Sequence, residues 1–161
     1  MKVLVTGGAG FIGSNLVDRL VLDGHDVHVI DNFSGTQKFQ NNNAKWYYYD
    51  VCNRDEIYNS TLWKGVDIVY HLAAEVSIPK SLKLPVHTIR TNTMGTANVL
   101  ELAKRHEVKR VIYSSTSAGY GSKSPYAISK VAGEEICKMY TEMYGLETVI
   151  FRYFNVYGNS N

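Results

Sequence analysis

Six short runs rich in β-branched and aromatic residues recur along the chain: KVLVT (2–6), DVHVI (26–30), KWYYY (45–49), DIVYHLA (67–73), KRVIYSS (109–115) and ETVIFRYF (147–154). Runs of this kind read as strands, and the stretches between them carry apolar residues at helical spacing, over 12–23, roughly 53–62, 88–106 and 125–144. Strands that alternate with helices pair in parallel, because each crossover returns the chain to the same end of the sheet. The pattern therefore predicts an α/β fold, a doubly wound parallel sheet with helices on both faces. A chain of 161 residues suffices for one such unit, a single domain over 1–161. Polar and turn-forming residues fill 32–44, which predicts a surface loop where such a sheet often has a helix.

Composition narrows the partners. Hydrophobic residues at 45% and charged residues at 20% fit a folded globular domain rather than a disordered chain. The net charge of +2 is dispersed, with no basic block to follow a nucleic-acid backbone. Cys52 and Cys137 stand far apart and the five histidines lack ligand spacing, so neither a disulfide framework nor a metal site is expected. The opening MKVLVTGG turns glycine-rich too soon for a leader, and no long apolar run follows. The expectation is a cytoplasmic protein without a membrane partner.

The first strand runs into VTGGAGFIGS, with Gly7, Gly10 and Gly13 at three-residue intervals where the first helix begins. Glycines allow a tight turn and close backbone approach, so a pyrophosphate can rest on the N–H groups at the helix N-terminus. The second strand ends at Asp31, eighteen residues after Gly13, where a carboxylate can accept from adenosine ribose hydroxyls and repel a 2′-phosphate. NAD rather than NADP is thus the expected cofactor. Asp50, after the third strand, is placed either at an adenine edge or in a solvated turn. In WYYY (46–49), period-two alternation puts Tyr47 and Tyr49 on one strand face, a better reading than a base-stacking platform.

The helix at 125–144 has clear ends. Ser124 is its cap, Pro125 suits its first turn, and Gly145 follows its last. Ile128, Ala132, Ile136, Met139 and Met143 are expected to form its buried stripe, while Tyr126 and Lys130, four apart, share another face. A lysine close to a tyrosine stabilises the phenolate and lets it act as a base near neutral pH. A hydroxyl from Ser114, Ser115 or Thr116, at the end of the fifth strand, can bond both the phenol and a substrate hydroxyl. The combination fits removal of a proton from an alcohol while hydride leaves its carbon for nicotinamide. His71, at the fourth strand's end, reads as a structural hydrogen-bonder, since Tyr126 already supplies the base.

With VTGGAGFIGS, DNFSG, YDV (49–51), VYHLAAEVSIPKS (69–81), NTMGTANVLE (92–101), YSSTSAGYG, YAISK and FRYFNVYG in this order, the chain resembles the extended short-chain dehydrogenase/reductases, specifically the NAD-dependent nucleotide-sugar epimerases and dehydratases. The resemblance implies a Rossmann fold. It further implies that Gly7, Gly10, Phe11, Ile12 and Gly13 hold the pyrophosphate. Asp31, Asn32, Phe33 and Ser34 would surround the adenosine ribose, with Asp50 and Val51 at the adenine. Leu72, Ala73, Ala74, Asn92, Ser114 and Lys130 would line the middle of the cofactor and the nicotinamide ribose, with Tyr153 near the carboxamide. Glu75, Ser77, Thr116 and Asn155 would meet substrate, and Thr116, Tyr126 and Lys130 would be catalytic.

Within the family, dehydratases and decarboxylases carry a carboxylate just after the strand-end threonine. Here Ser117 and Ala118 follow Thr116, as in the 4-epimerases. The implied reaction is inversion at C4 of a nucleotide sugar, UDP-glucose and UDP-galactose foremost, through a 4-keto intermediate. The implied assembly is a homodimer through the 88–106 and 125–144 helices. Two departures leave other readings open. The link from Thr116 to Tyr126 is shorter than in the family, and the substrate domain that follows the RYFN strand is essentially absent. The alternatives are an NAD-binding module without turnover and another NAD-dependent sugar-nucleotide oxidoreductase or dehydratase.

Overall fold

A computed structural model describes residues 1–35, 38–58 and 61–158. Six strands, β1 (Lys2–Thr6), β2 (Asp26–Ile30), β3 (Lys45–Tyr47), β4 (Ile68–His71), β5 (Arg110–Thr116) and β6 (Glu147–Tyr153), form one sheet in the order β3-β2-β1-β4-β5-β6. All pairs are parallel. The order reverses between β1 and β4, and in open sheets of this type the crevice beyond the strand ends at such a switch point takes the ligand.

Alternation along the strands builds two apolar layers. Leu4, Ile30, Val69, Val111 and Tyr113 enter a core with Ile57, Leu62, Trp63, Val99, Leu100, Leu102 and Cys137. Val3, Val5, Val27 and Val29 pack on the other face against Val17 and Leu20. Those two belong to α1 (Phe11–Leu22). Tyr47 and Tyr49 do share a face, both packing against the first core, while Tyr48 is exposed and stacks on Phe33 at 4.9 Å. No helix or strand lies between Asp31 and Lys45 among the described residues. Thr36 and Gln37 of the expected loop lie outside them.

The helix expected over 53–62 is α2 (Arg54–Tyr58) followed by a 3₁₀ turn at Thr61–Trp63, with residues 59 and 60 outside the described set. The helix expected from 88 starts earlier, as α4 (Pro85–Ile89), passes through a π turn (Arg90–Met94) and continues as α5 (Gly95–Arg105). Ahead of it lies a helix that hydropathy does not announce, α3 (Ile78–Lys83). Its cap is Ser77, whose Oγ accepts from Lys80 N–H at 3.2 Å, with a proline in its first turn. Leu84, at φ −130° and ψ 60°, separates α3 from α4. A residue preceding proline is pushed out of the helical region, and Pro85 imposes the break.

The final helix, α6 (Pro125–Tyr144), has the expected ends. Ser124 Oγ accepts from Ala127 N–H, and Gly145 is left-handed at φ 71°. Its buried stripe is a correction. Ile128 is 54% exposed, Met139 39% and Met143 71%, whereas Ala127, Ser129, Lys130, Gly133, Glu134, Cys137 and Tyr140 face inward. Packing distance explains the reversal. Tyr113 Oη would lie 2.1 Å from a Cβ at position 133, so β5 and α6 meet at a glycine, and the inward face carries small and polar residues. Of the expected stripe, Ala132 and Ile136 are half-buried, Ile136 against the core, while Ile128, Met139 and Met143 are turned outward; Leu82, Val86 and Ile89 of the neighbouring α3 and α4 are also exposed.

Candidate functional site

The ends of β1, β2, β4, β5 and β6 share one edge of the sheet, and the glycine loop opens there. Gly7 is left-handed (φ 74°), its N–H donates to Ile30 C=O at 2.8 Å, and Gly10 N–H donates back to Gly7 C=O. A Cβ on Gly7 would lie 2.6 Å from Ala73 N, and one on Gly13 would lie 2.2 Å from Gly7 O and 2.7 Å from Gly8 Cα. These two glycines serve internal packing. Gly10 differs: a Cβ there meets nothing closer than Gly7 O at 3.5 Å, so the protein interior does not require a glycine. Gly10 is the N-cap of the twelve-residue α1, with no side chain capping the first turn. A Cβ would stand where a phosphate must approach the N–H groups of Phe11, Ile12 and Gly13, and the cradle fits a dinucleotide pyrophosphate.

Asp31 anchors this loop. Its Oδ2 accepts from Ala9 N–H (2.9 Å) and its Oδ1 from Phe33 N–H (2.8 Å), the latter residue held left-handed at φ 54°. Each oxygen keeps a lone pair for a ribose hydroxyl. Asn32 Nδ2 donates to Asp50 Oδ2, and Ser34 donates through both N–H and Oγ to Asn32 Oδ1. Asp50 Oδ1 accepts from Cys52 N–H, while Val51 is buried against Gly95, where a Cβ would meet Val51 Cγ2 at 2.7 Å. The residues assigned to adenosine thus form one connected rim.

Leu72, Ala73 and Ala74 follow β4 at half-burial, and Ala73 N–H donates to Thr6 Oγ1 at 3.2 Å. Asn92, 1% exposed, is occupied by protein: Oδ1 accepts from Glu75 N–H, and Nδ2 donates to Glu75 C=O and to Ser129 Oγ. Its side chain braces the β4 loop against α6. Glu75 pairs with Lys80 at 2.5 Å and accepts from Ser77 N–H. Both acidic and hydroxyl groups assigned to substrate from this loop, Glu75 and Ser77, therefore also hold α3 in place.

Strand alternation separates the three candidate hydroxyls. Ser115 faces α6 and donates to Glu134 Oε1 at 2.5 Å, whereas Ser114 and Thr116 point to the opposite face of the sheet. Thr116 Oγ1 accepts from Ala118 N–H and caps a 3₁₀ turn, Ser117–Tyr120, that folds the short link compactly. Tyr126 is half-buried and Lys130 is 4% exposed, its ammonium 4.3 Å from the centre of the Tyr113 ring. Tyr153 is half-buried at the end of β6, paired in register with Thr116, and Asn155 is exposed just beyond.

Glu134 and Arg152 escaped the sequence reading. Glu134, 1% exposed, takes a two-pronged pair from Arg152, Nε to Oε1 at 2.8 Å and Nη2 to Oε2 at 2.5 Å, and this holds its carboxyl below the usual range. The Arg152 guanidinium also lies 4.7 Å from the Tyr120 ring, so one arginine gathers β6, α6 and the link. The signal was present: Glu134 follows Lys130 by four residues, as Lys130 follows Tyr126.

Burial lowers the Lys130 ammonium from 10.5 to about 8, against weaker upward pulls from Cys137 and Glu134. Between those values the unfolded chain keeps a proton that the folded chain has released, so this group makes stability rise with pH across that window. Urea midpoints at about pH 7.5 and about 9.5 should show a larger gain for the wild type than for Lys130→Met. Equal gains would assign the rise to other groups.

The model of the NAD dependent epimerase/dehydratase family matches residues 3–161. UDP-glucuronic acid decarboxylase 1 of Danio rerio is 36% identical over 180 residues, covering 98% of this chain and 42% of its own. UDP-glucose 4-epimerase of Halalkalibacterium halodurans is 34% identical over 174 residues, covering 98% and 52%. Among solved structures, the UDP-glucose 4-epimerase of Thermotoga maritima with UDP-glucose superposes with a TM-score of 0.93 at 35% identity, covering 98% of this chain and 57% of that one. The chain spans about half the length of the curated relatives it matches. With that family model matching nearly the whole of a six-stranded parallel sheet and its helices, the chain belongs to the NAD dependent epimerase/dehydratase family.

Proposed function

We propose that this chain is an NAD-dependent nucleotide-sugar 4-epimerase, with UDP-glucose and UDP-galactose as its substrate pair. The observation that carries the reading is the strand end after Thr116, where Ser117 and Ala118 offer no carboxylate for elimination or decarboxylation. The nearby acids do not replace it, because Glu134 is held by Arg152 and Ser115, and Glu75 by Lys80.

Bound NAD supplies the hydride acceptor and donor through which a 4-keto sugar forms and is reduced again. The chain's own residues manage the proton. Tyr126, as phenolate, takes it from the sugar's 4-hydroxyl, and the buried Lys130 ammonium stabilises that phenolate. Thr116 orients the same hydroxyl, and Asn155 approaches the diphosphate. Return of the proton to O4 after the keto sugar has turned over completes inversion. Asp31 favours NAD, since its charge opposes a 2′-phosphate.

The exposed apolar residues Ile89 and Met94 of the first helix and Ile128, Met139 and Met143 of the second support a homodimer through the 88–106 and 125–144 helices. A monomeric mass in sedimentation would remove that part of the reading.

The short link from Thr116 to Tyr126, folded into the 3₁₀ turn Ser117–Tyr120, supports the alternative of an NAD-binding module, because contacts remote from the reacting carbon position it. The relatives' alignments exceed 161 positions, so they carry extra residues inside the matched region, in keeping with a shortened Thr116–Tyr126 link. Incubating the purified chain with NAD and a panel of nucleotide sugars, with products resolved by chromatography and mass spectrometry, separates the readings. Interconversion of C4 epimers is expected. NAD binding without any product selects the module, and net NADH or loss of water selects oxidoreductase or dehydratase chemistry.

A further inference from the structure

His71 is 1% exposed at the end of β4, and both of its ring nitrogens have hydrogen-bond partners. Nδ1 lies 2.7 Å from Thr6 Oγ1 and Nε2 lies 2.9 Å from Thr96 Oγ1. The hydrogen positions follow from the outer ends of this chain. Thr96 Oγ1 is 2.6 Å from Asn92 C=O, which can only accept, so the Thr96 hydroxyl donates there and receives the proton on His71 Nε2. Nδ1 is then an acceptor and takes the Thr6 hydroxyl proton, while Thr6 Oγ1 receives Ala73 N–H. The sequence of bonds runs one way, from the loop beside the glycine cradle, through Thr6, His71 and Thr96, to the π turn.

It continues into the catalytic helix. Asn92 Nδ2 donates to Ser129 Oγ at 2.9 Å, and Ser129 Oγ donates to the backbone carbonyl of Tyr126 at 2.8 Å. Thr6, His71, Asn92, Thr96 and Ser129 are each at most 1% exposed. A buried polar chain with every member satisfied fixes one arrangement of the elements it joins, and an unpaired member is costly. From these bonds we infer that His71, as the neutral imidazole protonated on Nε2, is a positioning residue that sets the cofactor loop and the Tyr126 end of α6 relative to each other. The catalytic half of this inference rests on the proposed function.

Thr6 of β1 and Thr96 of α5 bond the ring, while Tyr113 of β5 lies 5.8 Å from it and the Lys130 ammonium of α6 opposes a second positive charge. Burial pushes the imidazole down to about 3, in accord with the neutral form.

The two arms can be cut separately. An asparagine amide reaches the position of Nδ1 and a glutamine amide that of Nε2. His71→Gln keeps the arm to Thr96 and should weaken NAD binding about tenfold with the smaller effect on kcat at saturating NAD. His71→Asn keeps the arm to Thr6 and should lower kcat about tenfold with the smaller effect on NAD affinity. Nitrogen-15 spectra of the histidines, with His71 identified by its loss in His71→Gln, should show an Nε2-protonated ring that does not titrate across the neutral range. Proportionate losses of NAD affinity and kcat in both variants, following thermal stability, would reduce His71 to a packing role. A proton on Nδ1, or titration near neutrality, would overturn the assignment outright. If the wild-type chain turns over no nucleotide sugar, the proposed function fails, and NAD affinity and the nitrogen spectra still decide the role of His71.

Discussion

Tyr126→Phe is expected to lower epimerisation by about 10²- to 10⁴-fold, the range that a positioned acid–base group contributes. The substitution removes one oxygen from a half-buried ring whose hydroxyl makes no bond to another described residue, so the fold should not notice it. The helix stays anchored through Ser129 to Asn92, through Glu134 to Arg152 and through its Ser124 cap. NAD affinity and thermal midpoint should therefore remain close to wild type while single-turnover formation of the keto sugar collapses. A Tyr126→Phe chain that retains a tenth of the wild-type rate would remove the phenolate from the mechanism. Thr116→Ala would then be the next substitution to make, since its hydroxyl is the other group placed at the strand end.

The second large effect separates two glycines that look alike in the sequence. Gly13→Ala should destabilise the fold, because the added methyl would stand 2.2 Å from Gly7 O and 2.7 Å from Gly8 Cα, both backbone atoms without a rotamer to relieve the clash. Overpacking of this kind costs about 1–3 kcal/mol, which for a chain of this size lowers the midpoint by about 2–12 °C. Gly10→Ala has room, with Gly7 O at 3.5 Å as its nearest neighbour, and exchanging glycine for alanine at an N-cap costs at most about 1 kcal/mol. Its methyl instead occupies the approach to the first-turn N–H groups, so NAD affinity should fall at least about tenfold with the fold intact. Calorimetric titration with NAD beside thermal scans of both variants checks the pair. Full NAD affinity in folded Gly10→Ala would move the pyrophosphate elsewhere.

Much of this architecture was legible because strands and caps are local. The six β-rich runs became six strands, and Ser124, Pro125 and Gly145 marked the ends of α6 through side-chain and backbone chemistry confined to a few residues. The glycine loop and Asp31 were legible for the same reason. What the sequence hid depends on distance between elements. The stripe Ile128, Met139 and Met143 has good helical periodicity, and periodicity cannot say which side of a helix meets the sheet. Only the contact of Gly133 with Tyr113 decides that, and it turns Lys130, Glu134 and Cys137 inward. Similarly, nothing local tells that Asn92 spends its amide on Glu75 and Ser129, or that Ser115 rather than Thr116 belongs to Glu134. The helix α3 went unread, because six residues leave no periodic signal to support the cap at Ser77.

The π turn at Arg90–Met94 has a consequence for anyone recombining this chain with its relatives. Such a turn accommodates one residue more than the regular helix on either side, so its length is part of the geometry. Deleting a single residue there would let the turn close into regular α-helix, and the segments on either side would keep their faces, because the extra residue is what the turn absorbs. The loss would be local: Asn92 lies inside the turn, and its amide would give up its geometry toward Glu75 and Ser129. Positions 90–94 are therefore where this helix can change length without turning Val86 and Ile89 to another side, even though no residue among the five is a glycine or a proline.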